Sequence, residues 1–336
     1  MPLLNLPSEL LLDIFRFVGA TFFQDNISCL TICKRWHDLA SEILTSEVQL
    51  THCNIFRFPP RCSRINALLH ANLTSISIRF VGLGNVPLDQ LSGDASQEDL
   101  ALKLKHHLEA LATGLIKYRS LSTLCFQVID EISDSSYGIP MVEYVQRSPL
   151  EALLSAPTHL GLTTLVLDTA GCEKEDGDHL CPLVARKLST LRTLRVTLRH
   201  MCDELLRPDS SMSGLPLREL LLDFVLPVRD KASGKLRSLF PTFPCIKTRF
   251  GRRDGLEEQM LAAAKALLER APRAESVMIR TMRHEYMGFG VDQTSQGFES
   301  LKMVTVNCLS GERVEVKPDE GDWEPMDELE GTMGGW

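Results

Sequence analysis

Two short segments near the amino end repeat apolar residues at helical spacing. Spacings of three and four residues place side chains on one face of a helix. A segment of about fifty residues is near the lower limit for a self-sufficient core. We therefore expect part of these apolar faces to be covered by the rest of the chain or by a partner. The first segment carries Leu10, Leu11, Ile14, Phe15 and Val18, and the second carries Ile27, Leu30, Cys33 and Trp36.

A second pattern, apolar-x-x-apolar-x-apolar, recurs seven times farther along the chain. Its last three positions place two apolar side chains on one face of a short strand. Helical patterns lie between these blocks, over about 97–118, 149–154, 180–188 and 255–270. Strand and helix in alternation predict parallel strands with right-handed crossovers. The blocks begin at Leu73, Leu121, Leu162, Leu191, Leu217, Ala274 and Leu301.

The blocks leave two architectures open. Self-similar strands at repeat-length intervals favour an open solenoid, and an ordinary compact α/β sheet is the alternative. A nucleotide site in such a sheet requires a glycine-rich turn after a strand. Gly82-Leu83-Gly84-Asn85 offers only two glycines, and Gly234-Lys235 lacks the rest of a phosphate-binding loop. With no nucleophile motif either, we expect a non-catalytic protein, and an enzyme in the α/β region remains the rival interpretation.

Composition narrows the class of protein. Hydrophobic residues make up 44% and charged residues 24% of the chain, and the formal net charge is −8. This charge argues against nucleic acid as a partner. The chain has no apolar run of the roughly 18 residues that a membrane helix needs, and Glu9 and Asp13 interrupt the first apolar stretch. These features predict a cytoplasmic or nuclear protein that needs no membrane.

Ten cysteines are scattered without Cys-x-x-Cys pairs. This spacing predicts reduced thiols, and we expect neither a metal site nor a cofactor. Cys29 and Cys33 lie four apart, on what the pattern predicts to be one helix. Cys172 and Cys181 flank an acidic stretch that contains His179.

Residues 181–253 are rich in arginine and lysine. Because arginine binds phosphate through two parallel hydrogen bonds, a positive surface for an acidic or phosphorylated ligand is one interpretation. A solvated face of spaced charges is another, and a third is that the acidic segment 317–336 lies across the basic region. The candidate ligand surface comprises Arg192, Arg195, Arg249, Arg252 and Arg253.

Residues 4–46 resemble the F-box. They contain a Leu6-Pro7-x-Glu9 opening, the pair Ile14-Phe15, Asp25 ahead of the second helical pattern, and the run Cys33-Lys34-Arg35-Trp36. The strand blocks resemble leucine-rich repeats more loosely. The segment Phe22-Phe23-Gln24 departs from the F-box pattern, which more often has a charged or small residue there.

The resemblance implies a three-helix F-box module over 1–50 that binds a Skp-type adaptor and, through it, a cullin scaffold. An irregular leucine-rich-repeat-like α/β solenoid over 51–316 would then recruit a protein substrate for ubiquitination, followed by a flexible acidic tail at 317–336. An adaptor-bound scaffold without a ligase role is the rival. Trp36 could pack in the core, face the adaptor, or both. The expected adaptor contacts are Leu6, Pro7, Leu10, Leu11, Ile14, Phe15, Ile27, Leu30, Cys33 and Trp36.

Overall fold

The fold is mixed α/β, with helices at the amino end followed by a largely parallel sheet. Among the described residues, no helix is both long enough and apolar enough to cross a bilayer. The expected acidic tail at 317–336 lies outside the described residues. The structure, a computed structural model, describes residues 5–51, 54–58, 63–81, 97–129, 131–132, 145–155, 161–171, 173–174, 179–208, 214–230, 236–241, 243–245, 256–284 and 301–316.

The amino-terminal elements are α1 (Ser8–Val18), α2 (Ala20–Asp25), a 3₁₀ helix (Ile27–Thr31) and α3 (Lys34–Ser46). Helix α1 ends at Gly19, whose φ of 84° is readily adopted only by a residue without Cβ. Helix α3 begins after Cys33, whose sulfur accepts a hydrogen bond from the backbone N–H of Trp36 at 3.4 Å. A side-chain cap of this kind satisfies a backbone donor of the first turn.

The second helical pattern of the sequence is therefore split between two elements. Ile27 and Leu30 lie in the 3₁₀ helix, whereas Trp36 lies on α3. The prediction that Cys29 and Cys33 share a helix is wrong, because the chain turns between them and Cys33 caps the next helix. The cap at Cys33 starts a new helix, so the apolar spacing from Ile27 to Trp36 does not correspond to one continuous helix.

All four helices predicted between the strand blocks are present. The structure adds a helix that the sequence analysis did not predict, α4. The predicted apolar face of α5, formed by Leu104, Leu108, Leu111 and Leu115, is buried. The helices are α4 (Ser63–Asn72), α5 (Gln97–Leu115), α6 (Arg147–Ser155), α7 (Cys181–Lys187) and α8 (Leu256–Arg270).

Each of the seven sequence blocks forms a strand, and all seven strands join one sheet. Within the described residues this sheet has nine strands, in the order β1-β2-β3-β6-β8-β10-β14-β15-β16. The strands are parallel from β1 to β14 and antiparallel from β14 to β16, so the prediction of parallel strands is wrong for β15, the strand of the last block. They are β1 (Glu47–Thr51), β2 (Ser75–Val81), β3 (Thr123–Ile129), β6 (Thr164–Asp168), β8 (Thr193–Thr197), β10 (Glu219–Asp223), β14 (Ser276–His284), β15 (Leu301–Asn307) and β16 (Arg313–Val316).

Shorter strands form three small sheets beside the large one. Strand β11 pairs with β12 and β4, β13 pairs with β9, and β5 pairs with β7. The pairing of β13 with β9 matters below, because it brings distant cysteines together. These strands are β4 (Glu131–Ile132), β5 (Val145–Gln146), β7 (Glu173–Lys174), β9 (His200–Met201), β11 (Val225–Asp230), β12 (Leu236–Pro241) and β13 (Phe243–Pro244).

The turn that enters each strand repeats along the sheet. A backbone carbonyl in one turn accepts a hydrogen bond from the backbone N–H of the next turn, at N···O distances of 2.7–2.8 Å. The same backbone group does this at each step, so successive units stack in a common geometry. The series begins at Ser46, the last residue of α3, which joins the amino-terminal helices directly to the sheet. The carbonyls are those of Ser46, Thr74, Ser122, Thr163, Arg192 and Arg218.

The two faces of the sheet differ in composition. One face is buried and formed by aligned apolar residues, including Ile76, Leu124, Leu165, Leu194, Leu220 and Val277, which the strand register places side by side. The next row on the opposite face is less buried and mixed in character. That outward row runs Ser77, Cys125, Val166, Arg195, Leu221 and Met278.

Candidate functional site

The amino-terminal helices have a small core of their own. Leu11, Phe15, Ala20, Phe23, Ala40 and Ile43 form a buried cluster that is separate from the core of the α/β region. The ring of Phe15 packs edge-on against Phe23, with centroids 5.2 Å apart, and against Trp36 at 4.4 Å. Phe23, in the segment that departs from the F-box pattern, is therefore a core residue.

Two residues of the expected contact list belong to this core. Leu11 and Phe15 are each only 1% exposed. They lie on the side of α1 that faces α2 and α3, so their side chains present no surface to a partner. Their role is to hold the helix against its neighbours.

Other apolar residues of α1 face outward. Leu10 is 50% exposed, Ile14 37% and Phe17 83%. Successive helical residues are about 100° apart, so these three share one narrow arc, beside the arc of Leu11 and Phe15. We call Leu10, Ile14, Phe17 and the exposed Val18 the α1 outer stripe.

The outer stripe is flanked by further apolar surface. Phe22 on α2 and Ile32 between the 3₁₀ helix and α3 are exposed, at 42% and 52%. Sequence reasoning missed Phe17, Phe22 and Ile32 as candidates. Phe17 alone gave a signal, because it lies seven residues after Leu10 and continues the same face.

The remaining expected contacts lie at the edge of the small core. Leu6, Leu30 and Trp36 are half-buried and pack against that core, and Cys33 is half-buried at the cap of α3. Pro7 is exposed. The side chain of Ile27 lies outside the described residues.

Arg35 fixes the segment that precedes α1. Its guanidinium donates hydrogen bonds to the backbone carbonyl of Leu6 and to the hydroxyl of Ser8, the latter at 3.1 Å and 3.3 Å. Leu6 and Pro7 are thereby held beside the amino end of α3. In the Lys-Arg-Trp run, Trp36 therefore packs against the small core, and Arg35 holds the Leu6-Pro7 segment in place.

The basic candidates are only partly described. Arg192 is exposed in the turn before β8, and Arg195 is half-buried in the outward row of the sheet. Arg249, Arg252 and Arg253 lie outside the described residues. A ligand surface formed by all five arginines therefore stays a prediction.

A buried carboxylate lies beyond the ends of β6 and β8. Glu173 is 1% exposed and accepts hydrogen bonds from the hydroxyl of Thr169 and from the backbone N–H groups of Arg199 and His200. Burial raises the pKa of Glu173 above its ordinary value, although these donors oppose the rise. The side chain anchors the loop after β8 to the loop after β6.

One group of residues was not predicted to come together. The side chains of His179, Cys181, Cys202 and Cys245 meet, and their ligand atoms all lie within 4.8 Å of one another. Hydrogen bonds from the thiols of Cys181 and Cys245 hold the pKa of Cys202 well below its usual range. The sequence analysis found no Cys/His quartet because the four residues come from three separate parts of the chain.

Grooves on the described part of the chain lie beside α7 and α8. One groove of about 400 Å³ lies between α8 and the 3₁₀ helix Asp203–Leu206, and another of about 180 Å³ lies beside α7. The described strands of the large sheet follow one another in chain order, without the reversal at which doubly wound folds form a ligand crevice.

Comparison with known proteins places the amino-terminal helices in a family. Residues 3–46 match the family described as F-box-like. The match ends where α3 gives way to β1, so residues 47–50, grouped with the module in the sequence analysis, form part of the sheet's first strand. No curated protein matches the chain.

Proposed function

We propose that this chain, an F-box protein by its F-box-like domain at residues 3–46, is the substrate-recognition subunit of a Skp–cullin–F-box ubiquitin ligase. F-box domains generally bind Skp-type adaptors and are typically non-catalytic ligase subunits. The observation that carries the proposal is the α1 outer stripe, which stays exposed although the domain has a complete core beneath it. Large exposed apolar patches are typical of interaction sites.

The proposed adaptor contacts follow from exposure. Leu10, Ile14 and Phe17 form the centre of the surface, and the Leu6-Pro7 opening extends it. Covering the exposed parts of these three α1 side chains contributes roughly 4 kcal/mol. Because association costs at least that much in lost freedom of motion, Phe22 and Ile32 must add to the interface. Leu30, Cys33 and Trp36 contribute at its edge, whereas Leu11 and Phe15 support it from within.

The α/β region is the proposed substrate receptor, an irregular leucine-rich-repeat-like solenoid. Three features support this: strands that follow in chain order, a repeated turn hydrogen bond, and an outward row that is polar in part and less buried than the inner one. Repeat proteins bind their ligands on such extended faces. A target protein would then contact the outward row, near Arg195.

The proposed mechanism is positional. The F-box-like domain attaches the chain to the adaptor and cullin, and the α/β region holds the target. The carrier enzyme of the ligase supplies the thioester chemistry. Proximity and orientation alone can accelerate such a transfer strongly, so the receptor needs no catalytic side chain.

The test is adaptor binding by the full chain. We compare the wild type with the double variant Leu10→Glu plus Ile14→Glu in a pull-down with a purified Skp-type adaptor. Burying unpaired carboxylates in the contact costs about 3 kcal/mol or more, so binding should fall by over about 100-fold.

A matched control lies on the α/β region. Leu102 and Ile116 are 49% and 50% exposed, close to Leu10 and Ile14. The variant Leu102→Glu plus Ile116→Glu should bind the adaptor like the wild type. Equal binding by all three proteins would remove the support for the proposed surface. Probing the wild-type pull-down for a cullin separates a ligase subunit from a scaffold.

A further inference from the structure

The cluster of His179, Cys181, Cys202 and Cys245 joins three parts of the fold. His179 and Cys181 lie at the amino end of α7, and Cys202 follows β9. Cys245 follows β13, which pairs with β9, and its backbone N–H donates to the carbonyl of Met201 at 3.3 Å. This pairing places Cys245 next to Cys202, 43 residues earlier in the chain.

Two of the distances between the four ligand atoms are those of a tetrahedral zinc site, and all four atoms lie within 4.8 Å of one another. Zinc binds sulfur at about 2.3 Å and imidazole nitrogen at about 2.0–2.1 Å, so ligands of one ion lie about 3.8 Å apart for two sulfurs and about 3.6 Å for sulfur and nitrogen. The observed Sγ···Sγ distance between Cys181 and Cys245 is 3.9 Å. The distance from Cys202 Sγ to His179 Nδ1 is 3.5 Å.

The histidine is oriented as in metal sites. Its Nδ1 faces the cysteines, and its Nε2 lies 3.3 Å from a carboxylate oxygen of Glu204. Histidines that bind zinc usually donate their other ring N–H to a carboxylate or carbonyl, which fixes the tautomer. A group of thiols that only packed together would not require this partner.

Burial is the third observation. Cys181 and Cys202 are fully buried, Cys245 is 2% exposed, and the side chain of His179 is 13% exposed. Four protein ligands with no open position are typical of a structural zinc site, whereas catalytic sites keep one position for water. Soft thiolate ligands in tetrahedral arrangement select zinc over magnesium or calcium.

We propose that His179, Cys181, Cys202 and Cys245 bind one Zn²⁺ ion as a structural site. The ion links the start of α7 to the β9–β13 pair, and so connects segments that are distant in sequence. Glu204 is a positioning residue that orients His179. Metal binding of this kind adds to the stability of the fold, because the unfolded chain does not present the site preformed.

The first experiment needs no variant. The full chain is purified under reducing conditions without chelator, and its zinc content is measured by inductively coupled plasma mass spectrometry. About one zinc ion per chain is expected. Replacement by Co²⁺ should give the intense absorption of a tetrahedral thiolate complex, and a strong zinc chelator should lower the melting temperature. A chain that holds no zinc after incubation with zinc chloride and dialysis would overturn the proposal.

Variants locate the ion. Cys202→Ser and Cys245→Ser should lose the bound zinc, and Glu204→Gln should weaken zinc affinity by about 10- to 100-fold. Cys125→Ser is the control, because Cys125 is half-buried in the outward row of the sheet, and it should retain zinc.

Wild-type zinc content in both ligand variants would refute the site. A disulfide between Cys181 and Cys245, seen as a mass two hydrogens lower, would refute it as well. If the ligand variants are insoluble, the cobalt spectrum of the wild type tests the site, and a spectrum without thiolate absorption would count against it.

Discussion

Two phenylalanines on α1 offer a sharp separation of binding from folding. Phe17 is 83% exposed and Phe15 is 1% exposed, although only one residue lies between them. We expect Phe17→Ala to weaken adaptor binding without harming the fold, and Phe15→Ala to unfold the F-box-like domain. Both substitutions remove the same atoms, so a difference between their effects must come from the different environments of the two rings.

The magnitudes follow from the environment of each ring. Burial of a phenylalanine side chain contributes about 1.5–3 kcal/mol, so losing about 2 kcal/mol at Phe17 should weaken adaptor binding by about 30-fold. The free energy of unfolding should stay within about 0.5 kcal/mol, as for most surface changes. Phe15 contacts Phe23 and Trp36, and its removal should cost about 3–5 kcal/mol of stability. That is comparable to the whole stability of so short a domain.

Calorimetric titration with a purified Skp-type adaptor measures the first effect, and urea unfolding followed by circular dichroism measures the second. Phe17→Ala should show weak binding and a wild-type unfolding midpoint. Phe15→Ala should lose adaptor binding together with the part of the helical circular dichroism signal that comes from the amino-terminal helices. The reasoning fails if Phe17→Ala binds within about twofold of the wild type, since that is far below the 30-fold expected from burial.

Three further predictions concern positioning, packing and pH. Arg35→Ala should weaken adaptor binding severalfold by releasing the carbonyl of Leu6, and Arg35→Lys should not restore it, because lysine lacks the fork of donors; titration of both variants tests this. Trp36→Ala should cost about 3–5 kcal/mol in urea unfolding and Trp36→Phe clearly less, because the smaller ring still packs on Phe15. Burial raises the pKa of Glu173, so its contribution to stability is fully present below the ordinary value of 4.5 and is lost as the pH rises through the raised pKa. Unfolding of Glu173→Gln at stepped pH should lack this segment of pH dependence, and identical pH profiles for the two proteins would contradict the assignment.

The exposed half of α1 shows where sequence reasoning stopped. The spacing identified Leu10, Leu11, Ile14 and Phe15 as one apolar set, and the F-box resemblance made all of them candidate contacts. The structure divides the set, because only neighbouring helices determine which arc of α1 is covered. Phe17 could have been added to the set, because it lies seven residues after Leu10, but only the packing of neighbouring helices shows that it is exposed.

The metal cluster shows the limit more strongly. Local spacing reveals a zinc site only when its ligands come in close pairs along the chain. Here Cys202 and Cys245 meet His179 and Cys181 through the pairing of β9 with β13. No periodicity encodes that contact, since it depends on the pairing of two short strands that are distant in sequence.

Although α4 and the remaining strands were not predicted, the amino-acid order by itself determined four helices and the seven block strands of the α/β region, and the F-box-like character of residues 3–46. Those features depend on side-chain periods of 3.6 and 2 and on a local motif, all of which are visible within a few turns of chain. Tertiary structure alone decided which apolar residues of α1 remain outside the core and which thiols come together. Both depend on neighbours that are distant in sequence, and the free energy of burial acts on those neighbours without regard to their separation along the chain.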